Sequence, residues 1–262
     1  MSLLETRNLC RSFGGLHACD NVSVRIESNE IFGIIGPNGA GKTTFLNLCA
    51  GTLPPDSGEI IFNGKNIAGL SAWKIARRGI ARTFQNIKLF NSMTVHDNVA
   101  AGFHTAETSH FYDALFRTKR FRQEQSSTEK SAFELLHRLG LGQYKDVLAK
   151  NLSYGMQRKV EIARSLAARP ELLLLDEPSA GMNPVETKSL LTFIKMIRDE
   201  GYTVVLIDHD IKFIAEACSR IMVMHYGKKI CEDTVDVIYN DERVIEAYFG
   251  RGKAGKIGAR HA

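Results

Sequence analysis

The chain has 262 residues, 44% hydrophobic and 24% charged, with a net charge of +5, which suits one large α/β domain or two small ones. No stretch approaches the ~20 uncharged apolar residues of a spanning helix, and Met1-Ser2-Leu3-Leu4-Glu5 lacks the basic segment and apolar run of a secretory signal, so a cytoplasmic protein is expected. Arg251, Lys253, Lys256 and Arg260 stand in an acid-free tail, 251–262, and without them residues 1–250 carry only +1, which argues against a nucleic-acid partner.

In chain order, the alternating run Val22–Ile26 predicts a strand, and Ile31–Ile35 a second one buried on both faces. Cys10, Cys19, Cys49, Cys218 and Cys231 form no C-x-x-C pair and have no histidine at ligand spacing, so they are read as reduced, buried thiols. The second strand runs into Gly36-Pro37-Asn38-Gly39-Ala40-Gly41-Lys42-Thr43, with a helix expected over Lys42–Ala50. This is the G-x-x-x-x-G-K-[ST] phosphate loop in its required strand-to-helix context. Its glycines let successive backbone N–H groups face one anion, the helix N-terminus adds positive potential, and Lys42 brings an ammonium to the β- and γ-phosphates. The Thr43 hydroxyl suits Mg²⁺, and Thr44 completes the loop.

Ile60–Phe62 follows the turn residues Asp56-Ser57-Gly58 as another strand, so the N-terminal third reads mainly as β structure. From about residue 87 to 168 the texture becomes charged and helical, with Ala132, Leu135, Leu136 and Leu139 at i, i+3, i+4 and i+7, and a helical insertion is predicted there. Helix and buried strand then alternate: a helix to about Ala168, a strand at Leu172–Leu175, a helix near Pro184–Glu200 and a strand at Val204–Ile207, a doubly wound α/β pattern. In the Pro184 helix, Asn183 supplies the cap, Pro184 the first position, Glu186 the third, and Gly201 the stop. The strand Leu172–Leu175 ends in Asp176-Glu177, where one carboxylate serves the Mg²⁺ shell and the other an attacking water.

A phosphate loop and an acidic strand end are common to kinases, GTPases and helicases. Leu152-Ser153-Tyr154-Gly155-Met156-Gln157, about twenty residues before the acidic strand, resembles the L-S-G-G-Q signature of ABC ATPases as a variant, with Tyr154 at a glycine position and Met156 standing between Gly155 and Gln157. Ser153 and the Gly155 amide open a helix whose first turn can present N–H groups to a γ-phosphate. The resemblance covers residues 3 to about 250. It implies an ABC ATPase fold: a P-loop NTPase α/β core, an antiparallel β subdomain and the helical insertion within a 1–250 ATP-binding domain, followed by a disordered basic tail. It further implies that Gln85 contacts Mg²⁺ and water, His209 the γ-phosphate and Phe13 the adenine, with Glu177 as the base. Ser179-Ala180-Gly181-Met182 takes the D-loop position without its usual aspartate.

Gly79–Ile87, the tyrosine in the signature, Ser179–Pro184, the insertion Phe103–Gln125 and the ending Val244–Gly250 resemble the ATPases of branched-chain amino acid importers. ATPases for urea or short amides, lipopolysaccharide-type exporters and non-transport ABC proteins are the alternatives. The resemblance implies ATP and Mg²⁺ as cofactors, a head-to-tail dimer with an identical or paralogous ATPase in which each chain holds half of each site, two integral membrane permeases, and indirectly an external substrate-binding protein. It also implies peripheral attachment at the cytoplasmic side of the membrane. The cations Arg117, Lys119, Arg120 and Arg122 mark either a solvated helix face or a contact with lipid or a membrane subunit.

Overall fold

Each uninterrupted apolar run of the sequence becomes a strand whose successive side chains serve two different layers. The computed structural model describes residues 2–103 and 118–249. Its first part contains β1 (Ser2–Phe13), β2 (Leu16–Glu27), β3 (Ile31–Ile35), α1 (Lys42–Cys49), β4 (Ser57–Phe62), β5 (Lys65–Asn66), α2 (Ala72–Ala76) and β6 (Ile80–Arg82). The helical stretch follows as α3 (Val95–Gly102), α4 (Lys119–Arg138) and α5 (Tyr154–Ala167). The remainder alternates: β7 (Leu172–Asp176), α6 (Pro184–Asp199), β8 (Thr203–Ile207), α7 (Ile211–Ala217), β9 (Arg220–His225), β10 (Lys228–Asp233), α8 (Val235–Asn240) and α9 (Glu242–Phe249).

The strands form a four-stranded antiparallel sheet, β2-β1-β4-β5, and a six-stranded sheet, β10-β9-β3-β8-β7-β6. In the larger sheet only the β9–β10 pair is antiparallel. The period-2 alternation of a strand then sorts its side chains. Ile31, Leu173, Leu175, Val204, Leu206, Ile221 and Val223 join one core with the helices α3 to α7. Phe32, Ile34, Leu172, Leu174, Val205, Ile207, Met222 and Met224 join a second core with α1 and the smaller sheet. Burial on both faces explains the absence of polar alternation in these strands.

β6 and β7 lie side by side in the sheet although residues 83–171 separate them in sequence. The helical segment therefore leaves the sheet at β6 and returns at β7, as the texture change near residue 87 predicts. Ala132, Leu135, Leu136 and Leu139 are all buried, as their spacing requires. The Pro184 helix has the expected start: Asn183 and Glu186 form a reciprocal capping box with Pro184 in the first turn. Residues 104–117, most of the longer insertion and Arg117 among the cations, lie outside the described residues, as do Gly250 and the tail 251–262. Lys119 and Arg122 are exposed on α4. Among the described residues no helix is long and apolar enough to cross a membrane.

All five cysteines are free. Cys19, Cys49 and Cys218 are buried as expected, whereas Cys10 and Cys231 are half-buried. Burial pushes the Cys19 thiol up to about 12 and that of Cys231 to about 11, and drives Cys49 and Cys218 higher still. Thiol titration of the native protein at pH 8 is expected to modify Cys10 quickly and Cys231 slowly, with the other three reacting only on unfolding. Five fast thiols in the native state would contradict this packing.

Candidate functional site

The turn from β3 into α1 is shaped by two close backbone approaches. Gly36 has φ +153°, and a Cβ there would stand 2.1 Å from the Met224 carbonyl of β9. Gly41 has φ +101°, and its Cβ would stand 2.0 Å from the Ala18 carbonyl of β2. Only glycine fits either position. The loop is thus clamped between the two sheets, with Asn38 and Gly39 exposed at its crown and Ala40 buried. The Gly227 N–H donates to the Ala40 carbonyl at 3.0 Å, a further anchor from the β9–β10 turn.

Lys42 opens α1 and is 93% buried; its Nζ donates to the Gly36 carbonyl at 2.7 Å and to the Pro37 carbonyl at 3.0 Å. Burial lowers its pKa from the ordinary lysine value, while the charges of Glu177 and Asp176 act in the opposite sense. The two acids at the end of β7 therefore lie within electrostatic reach of the phosphate loop, as the paired motifs predict. Thr43 is exposed and Thr44 half-buried on the first turn of α1.

Asp176 is buried, and its Oδ2 accepts from Arg82 Nη2 of the neighbouring strand β6 at 2.9 Å. Glu177 has φ +46°, a conformation that a non-glycine residue rarely adopts. Two bonds hold it there: its N–H donates to the Ile207 carbonyl at 2.8 Å, and its Oε2 accepts from Gln85 Nε2 at 2.8 Å. Strain at a residue fixed from both sides is a common property of working sites. Gln85 and Glu177, read separately from the sequence, are thus in direct contact.

The loop bearing Gln85 is gripped from behind. Arg158, fully buried on α5, donates to the Phe84 carbonyl at 2.7 Å, the Gln85 carbonyl at 2.6 Å and Glu161 Oε2 at 2.7 Å. Glu161 Oε1 in turn accepts the Lys88 N–H at 3.0 Å. Neither residue figures among the sequence candidates. Their signal is two charges, i and i+3, interrupting the buried face of α5.

His209 is exposed, its Nδ1 3.5 Å from Asp208 Oδ1. Asp208 is buried and ties His209 to the acidic strand end, because its Oδ2 accepts from both the N–H and the hydroxyl of Ser179, at 3.1 Å and 2.7 Å. Phe13 stands at the β1–β2 hairpin with 43% of its surface exposed and the Arg11 guanidinium 5.0 Å from its ring centre. A core role for this phenylalanine is thereby excluded.

The signature residues sit apart. Ser153 caps α5, its Oγ accepting from the Met156 N–H at 3.4 Å. The Gly155 N–H donates to Glu186 Oε1 on α6 at 3.1 Å, and Gln157 Nε2 donates to the Leu152 carbonyl at 3.1 Å. Tyr154 lies over the D-loop segment, its Cε1 3.7 Å from where a Cβ on Gly181 would be. Among the described residues, no hydrogen bond joins Leu152–Gln157 to Gly36–Thr44 of the same chain.

No group of three or more His, Cys, Asp or Glu side chains that could cage a metal occurs among the described residues. An Mg²⁺ held chiefly by nucleotide phosphates needs no such cage. Thr43, Asp176 and Gln85 offer the oxygen donors it prefers, so the residues present fit the ion.

Residues 19–180 match the family model of the ABC transporter. The high-affinity branched-chain amino acid transport ATP-binding protein LivG of Salmonella typhimurium is 41% identical over 95% of this chain and 98% of its own length. The lipopolysaccharide export system ATP-binding protein LptB of Escherichia coli is 34% identical over the same shares of the two chains. The crystal structure of the ADP conformation of an ATP-binding cassette of an ABC transporter superposes with a TM-score of 0.83 at 31% identity, covering 95% of this chain and 99% of that one. A clamped phosphate loop facing a strained acid, on a sheet shared with such cassettes, accords with these likenesses: the chain belongs to the ABC transporter family, as one of its ATP-hydrolysing subunits.

Proposed function

We propose that this chain powers an importer of branched-chain, hydrophobic amino acids from the cytoplasmic side of the membrane. The observation that carries the motor part is the 2.8 Å bond from Gln85 to Glu177 beside the buried Lys42. The cargo part is supported by the greater identity with LivG than with LptB.

ATP binds with its adenine against Phe13 and its phosphates in the backbone cradle Gly36–Thr44, where Lys42 leaves the loop carbonyls for the β- and γ-phosphates. Mg²⁺, held by Thr43, Asp176 and Gln85, would neutralise phosphate charge. Glu177 orients and deprotonates the attacking water, and His209 contacts the γ-phosphate. A second ATPase, identical or paralogous, closes head to tail, so that its Ser153–Gln157 segment completes this chain's site. Closure then moves α5 against the sheet, and Arg158 passes that movement to the Gln85 loop.

The permeases are expected to dock beside that loop. Phe84 and Phe90 are exposed there, with Lys88 Nζ 4.4 Å from the first ring and the Arg164 guanidinium 5.5 Å from the second. Together with Ala72, Ala76 and Leu89 they line one groove between β6 and the helical segment. An apolar groove ringed by cations suits a short amphipathic helix.

Glu177→Gln is expected to bind ATP normally, lose at least about a hundredfold in turnover and accumulate as an ATP-bound dimer in gel filtration. Wild-type turnover would remove Glu177 from the role of base. Lys42→Ala should weaken ATP binding by roughly tenfold or more, read by fluorescent nucleotide titration; undiminished binding would contradict the cradle. For the cargo, cells lacking this chain should lose uptake of labelled leucine, isoleucine and valine. Normal uptake with defective lipopolysaccharide export would favour the exporter reading.

A further inference from the structure

The Gly155 amide, which the head-to-tail reading assigns to a γ-phosphate bound by the partner ATPase, already has an anionic acceptor within its own chain. Glu186 Oε1 lies 3.1 Å from it. The Gly155 and Asn183 amides, with a smaller contribution from the Ser153 hydroxyl, hold the Glu186 carboxyl below the usual glutamate range. This acid therefore engages the Gly155 amide, one of the donors that would greet the phosphate. A Cβ on Gly155 would stand 3.1 Å from Glu186 Cβ, a close approach that would press the glutamate side chain away from the amide.

We propose that Glu186 is a built-in competitor for the γ-phosphate, occupying the signature amide in the separated subunit and giving it up when the ATP-bound dimer closes. The inference rests on the head-to-tail reading above. An N–H donates one good bond, and a carboxylate and a phosphate cannot share it without bringing two anions into contact. One of them has to leave. The carboxylate can do so without being stranded, because its Oε2 keeps the Asn183 N–H at 3.3 Å and Asn183 Nδ2 at 3.0 Å. Both belong to the α6 cap, so the exchange leaves that helix start intact. The D-loop segment Ser179–Met182 ends at this cap, so the exchange also lies where the two subunits are expected to meet. The consequence is a threshold: ATP has to displace an internal anion before the subunits hold together.

The test uses the full-length Glu177→Gln protein, with and without Glu186→Gln, in sedimentation velocity across an ATP titration. The amide of glutamine keeps an acceptor for Gly155 but loses the charge. The double variant should dimerise at roughly tenfold lower ATP, with the monomer's affinity for fluorescent nucleotide unchanged. A merely structural cap predicts the reverse, equal or weaker dimerisation, and that result overturns the proposal while the motor reading stands. Absence of any ATP-driven dimer in Glu177→Gln alone overturns the head-to-tail reading and this proposal with it. Should Glu186→Gln impair folding, the ¹⁵N–¹H resonance of Gly155 in the Glu177→Gln protein decides: a changed shift on ATP-driven closure is expected, and an unmoved one overturns the exchange.

Discussion

The guanidinium of Arg158 is fully buried in a helix that, Glu161 apart, presents apolar side chains to the core. Taking such a charge out of water costs several kcal/mol, recovered only when acceptors surround it. Here the acceptors are Glu161 and the carbonyls of Phe84 and Gln85. Since Glu161 also takes the Lys88 N–H, one ion pair fixes the loop backbone at three points. The position of Gln85 is therefore set by the signature helix α5 as much as by strand β6, from which its loop runs. Breaking either partner would leave a buried charge, so the two segments can shift only together.

That constraint explains why Gln85 meets Glu177. Glu177 pays no attention to its intrinsic backbone preference, because the Ile207 carbonyl holds its N–H and Gln85 holds its carboxylate. Asp176, one residue earlier, points its carboxylate sideways to Arg82 along the sheet. Two adjacent acids thus acquire different surroundings from strand alternation and the turn that follows. Arg82 stabilises one, and Gln85 on its pinned loop addresses the other.

The central strands were legible because burial on both faces leaves unbroken apolar runs, as in Leu172–Leu175 and Ile31–Ile35. β6 was not: it has three residues, ends in Arg82, and owes its place to pairing with β7 across the whole helical segment. Charged residues in the core escaped notice for the same reason. Arg158, Glu161 and Asp208 look like solvent-facing residues until their partners, up to 74 positions away for Arg158, are brought beside them. Aromatic residues are usually core, but Phe13 is exposed at its hairpin. The capping box of α6 was readable from Asn183 to Glu186, but the bond from Glu186 to Gly155, 31 residues back, is tertiary and leaves no local trace.

Glu186 also illustrates how a local rule and a functional one can share atoms. A glutamate at the third position of a helix satisfies the cap and favours the positive end of α6. The same carboxylate, through its other oxygen, neutralises the positive end of α5. Two helix N-termini therefore converge on one acid, and whichever anion approaches α5 next must contend with a charge that α6 holds in place. A neutral side chain could cap one helix but could not bridge both with comparable strength, because hydrogen bonds to an ionised acceptor are roughly twice as strong as neutral ones. On the proposed head-to-tail arrangement, the charge that steadies the signature in the lone subunit makes its partnership with phosphate conditional.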